Sequence, residues 1–308
     1  MASLRDIRNR ISSVKNTQQV TRAMKMVAAA KLRRAQERIF HTRPYAFKIA
    51  EIISHVKGQF DPSLHHLFLE REETNGVLLI VVTGDRGLAG AFNGNVIKLT
   101  EQTIRQDYGR HHEAGTLYLL AVGRKGHEYF AKRGYQMIGD FQGVFSDLTF
   151  GTAQKVADTA VGGFLGDRWD EVKIIYNEFK NTISQNRIVE PFLPIPKEHF
   201  LTPVMEQEVE VQAKPKEGQA VDYIFEPDAK TILDVLVPRY LNYQVWRALL
   251  ESNAAEQGAR MVAMDNATSN ADELLRDLRL KYNRARQSAI TKEILEIVGG
   301  ADALEASQ

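Results

Sequence analysis

The run Arg239–Val298, RYLNYQVWRALLESNAAEQGARMVAMDNATSNADELLRDLRLKYNRARQSAITKEILEIV, contains no proline and one glycine, Gly258. Within it, apolar or small residues recur at Ala267, Ala271, Leu274, Leu278, Tyr282, Ala285 and Ala289, in steps of three or four. That spacing places them on one stripe of a continuous helix. At about 1.5 Å per residue, sixty such residues would span roughly 90 Å. A compact domain of this chain length is only about half as wide. The helix is therefore expected to protrude and to need a partner helix for its stripe.

The N-terminal end of the chain supplies one. From Ser3 to about Lys57 the only proline is Pro44, and no glycine occurs before Gly58. Leu4, Ile7, Ile11 and Val14, then Ala28, Leu32, Ala35 and Ile39, keep a 4-3 register, with polar Gln18, Thr21 and Lys25 at the intervening register positions. A coiled-coil seam with a polar midsection gives up stability for register, or leaves room for a third surface. Charge is one-sided here. Residues 1–48 hold twelve Lys/Arg against two acids, a net of +10, whereas the whole chain is +1. Such a face is either simply solvated or meets acidic protein loops or nucleic acid.

Between these ends the pattern changes. Val77–Thr83 (VLLIVVT) is a short β-branched run that ends in Gly-Asp and reads as a buried strand. Thr116–Val122 and Glu171–Phe179 read as further strands, and helices are expected over Gly94–Tyr108, Arg124–Arg133 and Thr152–Gly166. Alternating strands and helices predict an open parallel or mixed sheet in a small three-layer α/β domain. Residues 58–75 read as a polar connector. Val204–Val211 alternates like an edge strand or hairpin, and Pro238 marks a kink or boundary near the start of the long helix.

Composition narrows the function classes. Of 308 residues, 44% are hydrophobic and 26% charged, which is ordinary globular composition. With no cysteine there is no disulfide framework, thiolate metal site or thiol nucleophile. No apolar run is long enough to span a bilayer. The loop Gly84-Asp85-Arg86-Gly87-Leu88-Ala89-Gly90 follows a strand and precedes a helix, where phosphate loops occur. Its spacing is neither the dinucleotide pattern nor a Walker A, so it reads as a tight turn in which Asp85 and Arg86 cap or pair. His65-His66 and His111-His112 fall in polar stretches read as loops, and adjacent histidines diverge too much to share a metal. No nucleophile elbow and no His-x-x-x-His helix is present, so no catalytic, cofactor or metal residue is assigned. Two readings stay open on these grounds. One is an interaction protein whose helix pair enters a larger assembly. The other is a nucleic-acid binder, weakened by the absence of Phe, Tyr and Trp from residues 1–39.

Four further stretches carry a family resemblance. Ile290-Thr291-Lys292-Glu293-Ile294-Leu295-Glu296-Ile297-Val298-Gly299-Gly300-Ala301-Asp302-Ala303 resembles the C-terminal signature of the gamma subunits of F-type ATP synthases. The opening helix resembles theirs in Ile11, Val14 to Gln19, and Thr21 through Met24 to Lys31. So do Asp85-Arg86-Gly87-Leu88 with Gly90 and Asn93, and Ala263–Ala271 leading to Tyr282–Gln287. The match runs the whole chain in order.

The resemblance implies an antiparallel coiled coil of N- and C-terminal helices plus a central small Rossmann-like α/β domain. Residues 1–57 and 228–308 would form the coil, residues 58–75 a connector, 76–200 the central domain and 201–227 a foot. It further implies a non-catalytic rotor that turns inside a ring of three alpha and three beta subunits, coupling proton flow through a c-subunit ring to ATP synthesis or hydrolysis. Met24, Lys25, Arg286, Gln287, Thr291 and Glu293 would contact the beta subunit, and Tyr223 and Glu226 the c-ring. An epsilon subunit is the remaining implied partner. No cofactor or nucleic acid is implied, and membrane attachment comes only through the complex. Without cysteines the chloroplast-type thiol switch is excluded. The start of the chain reads unlike a transit peptide, which favours a bacterial protein on the cytoplasmic face of the plasma membrane.

Overall fold

A computed structural model describes residues 3–59, 66–71, 73–196, 202–206 and 229–305. The first helix, α1 (Leu4–Gln59), opens on a reciprocal cap: Asp6 N donates to Ser3 Oγ at 3.2 Å, and Ser3 N donates to Asp6 Oδ2 at 3.1 Å. Then follow β1 (Val77–Val82), α2 (Phe92–Asp107), α3 (Gly109–Ala114), β2 (Leu117–Val122), α4 (Arg124–Ala131) and β3 (Gln136–Met137). The order closes with α5 (Phe150–Leu165), β4 (Glu171–Phe179), β5 (Gln185–Leu193) and α6 (Ala229–Glu305). The chain divides into two compact units. One comprises Met1–Val27 with Met261–Gln308, the other Ala28–Arg260. Both α1 and α6 contribute residues to each unit.

The larger unit is built on a sheet of order β3-β2-β1-β4-β5. The first four strands in that order are parallel, with Val77 opposite Leu117 on one side and Glu171 on the other. β5 runs antiparallel to β4 as an edge strand. The aliphatic run of β1 follows from this position, because a central parallel strand is covered on both faces. All six of its residues are buried. Leu78, Ile80 and Val82 point to a core shared with Leu32, Ala35 and Ile39 of α1, Val156 and Ala160 of α5, and Leu241, Val245 and Ala248 of α6. Val77, Leu79 and Val81 point the opposite way, to Val96, Ile97 and Ile104 of α2 and Phe130 of α4. The architecture is thus α/β, a parallel-dominated five-stranded sheet with long helices at both ends of the chain.

Several expectations need correction. Residues 203–206 form a helical turn, not the start of a strand, and Met205 N donates to Thr202 Oγ1 at 3.4 Å. Residues 207–211 of that expected strand lie outside the described residues, as does His65. His66 begins a short 3-10 turn, and His111 and His112 lie in α3. Pro238 is interior to α6, which starts at Ala229. Burial of Leu233, Val237 and Leu241 on either side of it offsets the lost backbone hydrogen bond. β5 went unanticipated because Arg187, Glu190 and Pro191 break the apolar pattern.

Two local devices fix the start of β4 near α5. Trp169 is buried, and its indole Nε1 donates to Ala160 O at 2.9 Å. A β-carbon on Gly163 would stand 2.0 Å from Trp169 Cζ2, so only glycine admits the ring. Asp170 accepts backbone N–H bonds from Asn75 at 2.6 Å and Gly76 at 3.0 Å, and pairs with Arg71. Burial alone would raise its pKa, but the two backbone donors and Arg71 outweigh it and hold the carboxyl below its usual range.

Gly163→Ala is expected to destabilise the protein by about 1–3 kcal/mol through overpacking against Trp169, measured by denaturant unfolding. Because the folded pKa of Asp170 is depressed, its contribution is complete above the unfolded value of about 4 and is lost as pH falls through the folded value. Thermal unfolding of Asp170→Asn should accordingly show a shallower loss of Tm on acidification below about pH 5 than the parent chain.

Candidate interaction surfaces of the helix pair

In the smaller unit, α1 and α6 pair antiparallel. Four side-chain contacts set the register. Arg8 Nη2 donates to Tyr282 Oη at 2.9 Å, Gln18 Nε2 donates to Asp272, Thr21 and Thr268 share a hydrogen bond of 2.8 Å, and Lys25 Nζ meets Asp265 at 2.5 Å. The two residue numbers of each pair add to 289 or 290, as one rigid antiparallel register requires. The polar midsection of the α1 seam is therefore a set of cross-helix bonds. Such bonds specify alignment, where a purely apolar seam could slip by a heptad. Arg8 also lowers the pKa of Tyr282, by its hydrogen bond first and its charge second.

The seam of α1 follows the sequence pattern closely. Leu4, Ile7, Ile11, Val14, Gln18 and Thr21 are at least half-buried, while the residues between them up to Val20 are exposed. On α6 the stripe differs in two places, at Leu274 and at Ala289. Leu275 is 4% exposed and Leu274 is 38% exposed, so the buried steps run Met264, Thr268, Ala271, Leu275, Leu278, Tyr282 and Ala285. Steps of four and three alternate without a break along this set. Ala289 is exposed. By the register, Leu4, the first residue of α1, stands opposite residue 286 or so.

Beyond that point α6 continues alone among the described residues. Every position from Arg286 to Gly299 is exposed. Arg286, Gln287, Thr291 and Glu293 all lie on this exposed tip. Gln287 and Thr291 share one face with Ile294, and Arg286 shares the adjacent face with Ile290 and Glu293. The tip also displays Ile290, Ile294, Leu295, Ile297 and Val298, between 49% and 67% exposed. Met24 and Lys25 are elsewhere, half-buried on the seam side of α1 about twenty residues of pairing away, and Lys25 is engaged by Asp265. Tyr223 and Glu226 lie outside the described residues. Sequence reasoning missed exposed Val20, Met26 and Val27 on α1, whose signal was apolar character off the seam register.

In the larger unit, the Gly84–Gly90 loop is a fixed structural turn. The Asp85 carboxylate accepts backbone N–H bonds from Arg124 at 2.9 Å, Gly143 at 2.7 Å and Phe145 at 3.0 Å. Asn93 accepts from Gly84 N at 2.8 Å and donates to Arg86 O at 3.2 Å. Arg260 of α6 donates to Gly87 O at 2.6 Å and pairs with Glu256, whose burial raises its carboxyl pKa. Leu88 sits at φ 65°, a left-handed conformation unfavourable for a side chain with a β-carbon, and exposes that side chain. Asp85 thus caps backbone N–H groups, one of the two expected roles, whereas the Arg86 side chain is exposed. Among the described residues, no group of three His, Cys, Asp or Glu is placed to hold a metal, and no helix is long and apolar enough to cross a membrane.

Known proteins resemble this chain along its whole length. The family model described as ATP synthase matches residues 3–304. The ATP synthase gamma chain of Salinibacter ruber is 63% identical over 307 residues, covering all of both chains, and that of Chloroherpeton thalassium is 51% identical over 309. Among solved structures, a chain from the central stalk and c-ring of Tetrahymena thermophila mitochondrial ATP synthase is 26% identical. It has a TM-score of 0.54 and covers 80% of this chain and 99% of its own. A chain of the Euglena gracilis mitochondrial ATP synthase, 20% identical, shares the fold at a TM-score of 0.63 over 99% of this chain and 95% of its own.

The seam correction is directly testable. Leu275→Ala should destabilise the helix pair by about 2–4 kcal/mol, as buried leucines do. Leu274→Ala should change stability by no more than about 0.5 kcal/mol. Hydrogen exchange of residues 261–285 distinguishes the two.

Proposed function

Because the chain belongs to the ATP synthase family and its full-length relatives are gamma chains, we propose that it is the central-stalk rotor of an F-type ATP synthase. It turns within the ring of three alpha and three beta subunits and couples proton flow through the c-ring to ATP synthesis or hydrolysis at the beta sites. The chain itself forms no bond with nucleotide. It acts by presenting a different face to each beta subunit in turn, which couples distant sites through a moving element.

The observation that carries this reading is the single-helix tip of α6. Its exposed isoleucines, Leu295 and Val298 offer an apolar surface, and apolar contact is non-directional. Such a surface can turn in an apolar sleeve without breaking a fixed set of bonds. Arg286, Gln287, Thr291 and Glu293 add the angle-dependent element, since hydrogen bonds to a beta loop form only over a narrow range of orientation. Arg286 suits a carboxylate partner because its fork can bind both oxygens. Along α1, the net charge of +10 over residues 1–48 complements an acidic beta loop near Met24 and Lys25. For Lys25, engagement there means exchanging Asp265 for a partner's carboxylate. Tyr223 and Glu226 would serve as the foot on the c-ring, with the epsilon subunit alongside. The complex would hold the chain peripherally at the cytoplasmic face of a bacterial membrane.

The test is reconstitution with the matching alpha and beta subunits and observation of a bead on the sheet unit during ATP hydrolysis. Unidirectional stepping is expected. Arg286→Ala with Gln287→Ala should slow stepping by about tenfold, equivalent to losing one charge-assisted hydrogen bond of about 1.5 kcal/mol. Failure to assemble with alpha and beta would overturn the rotor assignment.

A further inference from the structure

Within the larger unit, one stripe of α6 is polar where it meets the β4–β5 hairpin. Gln244, Arg247 and Glu251 are spaced three and four apart, so they share a face over about 10 Å of helix. Gln244 Nε2 donates to Glu190 Oε1 at 2.8 Å and to Pro191 O at 2.9 Å. Arg247 Nη2 pairs with the same Glu190 oxygen, and its Nη1 donates to Tyr176 Oη at 3.2 Å. Tyr176 O–H donates to the other Glu190 oxygen at 2.8 Å. One turn on, Glu251 accepts the backbone N–H of Phe179 at 3.2 Å. Glu190, Tyr176 and Glu251 are buried, and the Arg247 side chain is 11% exposed.

Stability alone does not account for this arrangement. Replacing a buried ion pair with apolar residues of similar volume is often neutral or stabilising. The surrounding contacts of α6, through Leu241, Val245 and Ala248, are already apolar. What the apolar contacts lack is direction: a helix held by them alone can twist or slide a little at low cost. A guanidinium whose two arms reach a carboxylate oxygen of Glu190 and the hydroxyl of Tyr176 tolerates little such movement, because the planar fork fixes both directions at once.

From this we infer that the Gln244–Arg247–Glu251 stripe is the torsional joint of the rotor, with Arg247 on Glu190 as its central element. It keys α6 to the sheet, so that torque applied to the sheet unit enters the helix here and not as slip. Arg247 and Glu190 are positioning residues, acting on the beta sites only through α6, which is one helix from Ala229 to Glu305. The inference rests on the rotor reading above.

The test uses the assembled complex of the chain with its matching alpha and beta subunits. The chain has no native cysteine, so Glu113→Cys on exposed α3 gives a unique bead attachment. Arg247→Met, Glu190→Leu and Tyr176→Phe are combined, so that no buried partner is left orphaned. This variant is expected to keep its Tm and its ATP hydrolysis rate. The angular variance of the bead during catalytic dwells should widen by up to about twofold, because the central polar attachment of α6 is lost while Gln244 on Pro191 O, Glu251 on Phe179 N and the Arg260 clamp remain. An unchanged variance in a turning complex would overturn the joint and leave the rotor reading intact. A parent complex that assembles but does not turn would overturn the rotor reading instead. Should the triple variant not assemble, Arg247→Lys carries the test: it keeps the charge but loses the fork. Intermediate variance supports the joint, and parental variance sinks it.

Discussion

The antiparallel register of α1 on α6 is the constraint from which the rest follows. Four polar contacts between the helices, Arg8 with Tyr282, Gln18 with Asp272, Thr21 with Thr268 and Lys25 with Asp265, all agree on one alignment. A heptad seam by itself permits several alignments of similar burial. Slipping this one by seven residues would leave four sets of polar groups facing the wrong partners. Once that alignment is set, the start of α1 falls opposite residue 286, and the remainder of α6 has no helix beside it among the described residues. Arg286, Gln287, Thr291 and Glu293, and the apolar residues around them, are exposed for that reason.

Polar contacts play the same part in the larger unit, on a different scale. The core there is apolar and layered, with β1 buried on both faces. Its aliphatic packing provides cohesion but little orientation. Orientation comes from a few buried or half-buried carboxylates. Asp85 gathers three backbone donors from two other segments, Asp170 ties the entry of β1 to the strand beside it, and Glu190 collects Tyr176, Gln244 and Arg247. In each case the carboxylate is satisfied by groups distant in sequence, and each fixes how two elements lie against one another.

The sequence carried much of this in its periodicity. The α1 seam at Leu4, Ile7, Ile11, Val14, Gln18 and Thr21 is legible because a helix that buries one stripe must repeat it every three or four residues. β1 and β2 are legible because short aliphatic runs suit strands covered on both faces. The choice of Leu275 over Leu274 was not legible. Adjacent leucines fit a three-or-four spacing equally, and a rotation of about 100° per residue separates them only when the partner helix is in place. β5 was hidden because its buried acid, Glu190, reads as a surface residue until Arg247 and Tyr176 are brought to it.

By itself, then, the sequence determined the helical ends, the α/β centre, the basic N-terminal face and the motifs that ally the chain with gamma subunits. These depend on local spacing and residue type, which survive without knowledge of distant neighbours. The tertiary structure alone decided which leucine enters the seam, that Lys25 is held by Asp265, and that Glu190 sits buried beneath α6. Those outcomes depend on which charges and surfaces a fold brings together from residues 57 to 254 positions apart, and no local pattern encodes such a meeting.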